Sequence, residues 1–260
     1  MALMMLFSDN GMTLIQSQDL TNQVSVNYLK LMQLFSGIGL FIAPTLLYSY
    51  LTNFDFKFTK ITRQDTILVV AIMMLVTPFV GLLLEWNMQL SFPEWLLHFD
   101  LNSEAIVKAF LKMPNILDLV YTLLVIAVVP AIGEELLFRG YLQQKISDWL
   151  KSPHFSIVIT SFLFSAIHLD PYGIIPRFVL GVLLGYLYYW SGSLWLPILA
   201  HFVNNAQTIV LSYLSLNFNE QTPRLISEVD IDQNLAFISF ISVTLLLYLL
   251  FKNIEIKNEN

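Results

Sequence analysis

Uncharged apolar stretches of spanning length recur along this chain, separated by short polar segments. Residues 31–54 carry no charged side chain and are broken only by Gly37, Gly39 and Pro44. Residues 66–84 form a second such stretch, in which Pro78 predicts a kink. Residues 119–133 are shorter and run into Glu134, and residues 152–169 follow, with His168 near their end. Residues 178–219 contain no Asp, Glu, Lys or Arg and are long enough for two spans, with Ser191-Gly192-Ser193 as the turn between them. Residues 233–251 are the last stretch. A hydrocarbon core about 30 Å thick takes about 20 residues of helix to cross. The pattern therefore predicts an all-α, polytopic transmembrane helix bundle of about seven spans, within a range of about six to eight. The mixed segment 87–118 is expected to hold an interfacial helix. No internal repeat interrupts the series, so residues 1–260 read as a single integral membrane domain. Residues 1–7 are apolar, but too short and too poor in basic residues for a cleaved signal peptide.

Composition sharpens the picture. Apolar residues make up 56% of the chain and charged residues 12%, where a soluble domain carries about 25% charged. The expected location is the cell membrane, crossed several times, with membrane lipid as an obligatory partner. A net charge of -6, from 13 Lys+Arg against 19 Asp+Glu, supplies no basic field for phosphates and excludes nucleic acid as a partner. The absence of cysteine removes disulfides, thiolate chemistry and cysteine-based zinc sites. Lys57, Lys60 and Arg63 form one basic cluster, and Arg139, Lys145 and Lys151 a second. With seven spans the two fall on one side, which the positive-inside rule makes cytoplasmic.

Ionisable side chains within spans cost several kcal/mol and are functional candidates by default. They occur here as Glu134-Glu135 with Arg139, as Phe164 with His168, as His201 with Asn205, and as the isolated Glu85. Adjacent helical residues point about 100° apart, whereas i and i+4 share a face. Glu135 and Arg139 are therefore stacked as an ion pair, and Glu134 faces elsewhere without a partner in its own helix. His201 and Asn205 share a face, and the Phe164 ring can wall one side of the His168 imidazole. Lys151-Ser152-Pro153 reads as a turn between antiparallel helices, with Glu134 17 residues before Lys151 and His168 17 after it. At about 1.5 Å per residue both lie about 25 Å from the turn and can face one another. His201, nine residues past Gly192, needs a tilt or a kink at Pro197 to come level with them.

Each feature alone has an ordinary explanation. A single intramembrane histidine is commonly a packed, hydrogen-bonded residue, and a Glu-Arg pair commonly structural. His201 and Asn205 suit interhelical hydrogen bonding, and Gly181 and Gly185 suit close helix packing. Glu85, beside Trp86, can reach the interface. The ordered co-occurrence of three motifs in one hydrophobic chain is what points to a site.

Glu134-Glu135-x-x-x-Arg139, Phe164-x-x-x-His168 and His201-x-x-x-Asn205 resemble, in that order, the three motifs of the CPBP intramembrane proteases, the CAAX-protease and bacteriocin-processing (Abi) family. Pro130 and Gly140 resemble family positions too. The resemblance is strongest from about residue 130 to residue 207, within residues 115–216 as a motif-bearing catalytic core. It implies hydrolysis of a peptide bond in a membrane-associated peptide or protein substrate, prenylated or bacteriocin-like. Carried over by motif position, Glu134 is the general base toward water, His168 holds that water, and His201 and Asn205 donate hydrogen bonds to the oxyanion. Glu135, Arg139 and Phe164 support the site. The chemistry is sound, because a carboxylate in a low-dielectric pocket holds a proton more tightly, as a general base must.

The resemblance leaves metal open. His168, His201 and Glu134 have the composition of a His2Glu zinc site with water in fourth place. Glu134 would then not be free as base and Glu135 would have to replace it, against its pairing with Arg139. Metal-independent glutamate catalysis, with no cofactor required, is the preferred expectation. Two non-protease readings stand beside it: a non-catalytic membrane immunity or scaffold protein, and a proton-coupled transporter in which Glu134, His168 and His201 form a relay.

Overall fold

A computed structural model describes residues 20–97, 103–217 and 231–259. The expectations for residues 1–7 lie outside the described residues, as does the end of the stretch drawn to residue 219. The described chain is helical throughout, without a strand among the described residues. Helix α1 is Gln23–Thr52, with one π-helical turn at Ile38–Ile42 just before Pro44. Helices α2 (Arg63–Leu75) and α3 (Thr77–Met88) are two arms of one apolar stretch bent by 40°. Two short helices follow, α4 (Glu94–Leu97) and α5 (Ser103–Phe110). Helix α6 is Ile116–Leu150, with π-helical turns at Leu123–Val128 and Leu136–Gln143. Then come α7 (Pro153–Ala166), α8 (Ile174–Ser191), α9 (Trp195–Asn217) and α10 (Gln233–Glu259).

Among the described residues, four helices are long and apolar enough to cross a membrane, or five if the bent α2–α3 pair is one span. The sequence pattern anticipated about seven. The difference lies in two elements: α7 has only 14 residues, and α9, which carries His201, Asn204, Asn205 and Gln207, is not among those that qualify. The first span also starts earlier than the charge gap suggested. Lys30 lies inside α1 and is fully buried, its Nζ donating to Thr122 Oγ1 at 2.8 Å. In the mixed segment, α5 turns Ile106, Ala109 and Phe110 onto Val26 and Leu29 of α1.

Local chemistry explains the ends and bends. Thr62 and Asp65 form a reciprocal capping box at the start of α2. Lys151 and Gly192 take left-handed conformations at the ends of α6 and α8, as both turns read from sequence require. Pro78, within the first turn of α3, sits at the α2–α3 bend. Carbonyls beside that bend are taken by side chains, Gln207 Nε2 on Met73 at 3.2 Å and Ser239 Oγ on Leu75 at 2.5 Å.

Helix α6 is the centre of the bundle. Its Gly133 accepts α1 so closely that a Cβ there would lie 2.9 Å from Phe41 Cβ and 3.1 Å from Ile42 Cγ1. Helices α7 and α8 run antiparallel. A Cβ at Gly181 would come within 3.0 Å of Ser161 Cβ, and one at Gly185 within 2.8 Å of Ile157 Cγ2. The glycine spacing therefore marks close packing, as its pattern suggested. It also exposes two backbone carbonyls to α6: Arg139 donates to Gly181 O at 2.9 Å and Gln143 to Gly185 O at 3.0 Å. A second lobe packs α2, α8, α9 and α10 around Val69, Ile72, Met73, Leu187, Leu196 and Leu250. The two basic clusters meet at one end of the bundle, where Leu194 N–H donates to Lys57 O at 3.0 Å and Gln144 reaches Asp55 O at 3.3 Å.

Overpacking a tight helix contact typically costs about 1–3 kcal/mol. Gly133→Leu, which drives a branched side chain into α1, is expected to lower stability by about that amount, read as a fall in the thermal midpoint in detergent. Gly39→Leu is the control, since a Cβ at Gly39 meets nothing within 4 Å.

Candidate active site

The polar cluster is assembled at the junction of α6, α7 and α9. Glu135 and Arg139, expected to stack on one face, are an ion pair with Nη1 to Oε1 at 2.7 Å, and both are buried. The pairing survives although residues 136–143 are π-helical. The same Oε1 takes a second hydrogen bond, from His201 Nδ1 at 2.8 Å. Glu135 is thus held by a guanidinium from its own helix and an imidazole from α9. A buried carboxylate is tolerable only with such partners.

Glu134 points elsewhere, as the helical spacing required. Its Oε2 is buried and has no hydrogen-bond partner among the described residues. The Nε2 atom of His201 stands 3.9 Å from it. His201 therefore binds Glu135 through Nδ1 and faces Glu134 with Nε2. The sequence offers His201 as an oxyanion donor, a metal ligand or a relay member, and the contact by which Glu135 orients its ring comes from the fold.

His168 sits just past the end of α7. Its Nδ1 is 2.8 Å from the Phe164 carbonyl oxygen. A carbonyl can only accept, so Nδ1 carries the proton and Nε2 presents a lone pair. Phe164 is the hub between the two imidazoles: its ring centroid is 5.2 Å from that of His168 and 5.8 Å from that of His201, both edge-to-face. The Arg139 guanidinium lies 4.6 Å from the same ring centroid, within cation–π range. The expected wall beside His168 is therefore a ring shared by three charged or titratable groups.

Asn205, one turn along α9 from His201, is directed at the backbone of α6. Its Nδ2 donates to the Ile126 carbonyl at 3.1 Å. Ile126 lies four residues before Pro130, which has no N–H to return to it. An amide nitrogen has two hydrogens, so a second donor remains. Sequence could have revealed this: Pro130 inside an apolar helix leaves a carbonyl in search of a donor.

The expected kink at Pro197 is not what brings His201 level with the glutamates. Pro197 is the third residue of α9, within the first turn, where proline is accommodated without breaking the helix. Residues 136–143 are π-helical and rise less per residue than the about 1.5 Å of an ordinary α-helix.

Among the described residues, no three His, Asp or Glu side chains are grouped so as to hold a metal ion. His168 Nδ1 and His201 Nδ1 are engaged with protein acceptors, which leaves their Nε2 atoms to the site. Glu85 is structural here, its Oε1 accepting from the Ile231 N–H at 2.9 Å. A cavity of about 250 Å³ opens away from the cluster, lined by Lys57, Gln143, Asp148, Ser156 and Tyr188. Two buried polar residues carry no signal in the sequence: Lys30 and Gln143.

Residues 116–207 match the family model of the Rce1-like, type II CAAX prenyl endopeptidases. That interval contains the three motifs in full. Among curated proteins, the chain is 35% identical over 80 residues to the uncharacterized protein YpbD of Bacillus subtilis (strain 168). The aligned stretch covers 29% of this chain and 38% of YpbD, so the chain spans well under half of that relative. No solved structure matches this one.

Removing one member of a buried ion pair typically costs about 3–5 kcal/mol. Arg139→Met is expected to destabilise the fold by about that much, measured by thermal unfolding in detergent. The double variant Glu135→Leu/Arg139→Met should recover most of the loss. Asn205→Leu should cost about 1–3 kcal/mol, the usual penalty for stranding a buried polar group. That cost should shrink in a Pro130→Ala background, where the helix regains an N–H for Ile126, and an unchanged cost would rule out the proposed role of Asn205 on that carbonyl.

Proposed function

We propose that this chain, matched over residues 116–207 by the Rce1-like CAAX prenyl endopeptidases, is an intramembrane endopeptidase working by glutamate-activated water. The observation that carries the reading is the division between adjacent carboxylates. Glu135 is doubly partnered, whereas the buried Oε2 of Glu134 has no hydrogen-bond partner and faces His201.

The proposed sequence of events follows from these donors and acceptors. A water between Glu134 and His168 gives one hydrogen to each, to the Glu134 carboxylate and to the free Nε2 of His168, and so turns an oxygen lone pair toward the substrate carbonyl. As the C–O bond forms, Glu134 takes the proton. Negative charge grows on the carbonyl oxygen, which the His201 ring faces and to which Asn205 donates its second amide hydrogen. Glu134 then returns the proton to the departing amine, and the peptide bond breaks into an acid and an amine. Glu135 and Arg139 take no part in bond making: they hold His201 in orientation, and Arg139 stacks on Phe164. Each element has a general counterpart. A positioned acid–base group contributes typically 100- to 10,000-fold in rate, and one oxyanion donor roughly 100- to 1000-fold. The substrate class is a membrane-associated peptide or protein, with a prenylated C-terminal segment the first to test.

Glu134→Gln, an isosteric change, is expected to lower cleavage of a prenylated peptide in proteoliposomes by at least about 100-fold while the thermal midpoint holds. His168→Ala should act in the same direction. Turnover retained in both would remove the glutamate mechanism, and full biological activity of Glu134→Gln would favour a non-catalytic partner-binding role.

A further inference from the structure

The cavity of about 250 Å³ sits at the basic end of the bundle, where the α1–α2 loop meets the ends of α6 and α8 and the start of α7. Lys57 reaches it from the loop, Gln143, Ser147 and Asp148 from α6, and Tyr189 from α8. Lys57 and Asp148 bring opposite charges to one cavity, yet among the described residues neither side chain takes part in an ion pair.

The backbone holds the lysine in place. Lys57 has a φ of 58°, a left-handed conformation that is uncommon for a residue with a Cβ and that ligand clamps retain more often than other surfaces do. Its N–H donates to Asp55 Oδ1 at 2.8 Å, and its carbonyl accepts from the Leu194 N–H at 3.0 Å. The deeper wall is the buried side chain of Gln143. Its Nε2 donates to Gly185 O at 3.0 Å, and its Oε1 has no hydrogen-bond partner among the described residues. The cavity thus combines a cation with two acceptors, the Asp148 carboxylate and the Gln143 amide oxygen.

A ligand that answers this pattern carries an anion for Lys57 and a cation with N–H donors for Asp148 and Gln143. Phosphoethanolamine is the membrane group of that description. Phosphocholine has the same two charges but no N–H to donate, and phosphoglycerol has the anion alone and meets Asp148 as a like charge. The surroundings lie at headgroup level. Trp149, Tyr189 and Trp195 are exposed at this end, as aromatic residues are at a membrane interface. From the same end α7 turns Phe155, Val158, Ile159 and Phe162 outward, an apolar stripe at helical spacing along which an acyl chain can lie.

We propose that this cavity binds the headgroup of phosphatidylethanolamine, with the phosphate on Lys57 and the ammonium on Asp148 and Gln143. Charged pockets between helices on the basic side of a membrane protein are suited to lipid headgroups. The site is independent of the protease reading.

The test titrates the delipidated full-length protein in detergent with phosphatidylethanolamine, phosphatidylcholine and phosphatidylglycerol of equal chain length, and with soluble glycerophosphoethanolamine. Bound ligand is counted by native mass spectrometry. The wild type is expected to bind phosphatidylethanolamine with a Kd at least about tenfold below those of the other two lipids, as the loss of one charged hydrogen bond would give. Lys57→Gln should weaken that binding, and Asp148→Asn should bring the phosphatidylethanolamine and phosphatidylglycerol affinities together. Equal affinity for the three lipids in the wild type overturns the proposal, as does a preference that neither substitution diminishes. A preference for phosphatidylglycerol would show a plain anion site and overturn it too. Glycerophosphoethanolamine bound as tightly as the lipid would uphold the headgroup chemistry and overturn the lipid as its source. The wild-type comparison decides the matter even if a variant fails to fold.

Discussion

A carboxylate closed off inside an apolar helix bundle must be neutralised where it stands, and the placement of α6, α8 and α9 follows from how Glu135 meets that demand. Its Oε1 is shared by Arg139 and His201. Arg139 goes on to the Gly181 carbonyl of α8 and lies over Phe164 of α7. One buried carboxylate thus ties four helices to a common point. Loss of Arg139 would leave charge uncompensated in a low-dielectric interior, where the penalty far exceeds that of an exposed pair.

Neutralising one glutamate leaves the next one without a partner. Adjacent side chains on a helix diverge by about 100°, so Glu134 cannot share the partners of Glu135. It keeps a buried oxygen without a hydrogen bond, 3.9 Å from an imidazole nitrogen whose ring Glu135 has already oriented. A structural ion pair and a chemically available carboxylate are consecutive residues, and the second depends on the first for the geometry around it.

Backbone irregularity is concentrated around the same centre. Both π-helical stretches of α6 flank the glutamates, and Pro130 precedes them. Within a bilayer, departures from regular helix persist only where neighbouring groups re-satisfy the freed backbone. Asn205 does so at Ile126, and Gln207 and Ser239 do so beside the α2–α3 bend. Polar residues that make α9 a poor lipid-facing span are therefore the ones that fasten it to α6 and α2.

Helical periodicity and local turn chemistry were legible in the chain alone. The positions of the apolar stretches, the turns at Lys151 and Gly192, the Glu135–Arg139 stack and the contrary direction of Glu134 all follow from residue order and the 3.6-residue repeat. So did the three motifs, because the resemblance lies in short spacings on single helices. Tertiary structure decided everything that joins one helix to another. It placed the His201 ring between two carboxylates, directed Asn205 to a carbonyl left by a proline 75 residues earlier, and paired Arg177 with Asp170 in the turn between α7 and α8. It also buried Lys30 within α1 and reduced the helices that qualify as spans. Such contacts depend on helix rotation and depth, and a hydrophobic run constrains those weakly when lipid and protein interior are equally apolar. Rotation and depth are settled only when each buried polar group finds its partner on another helix.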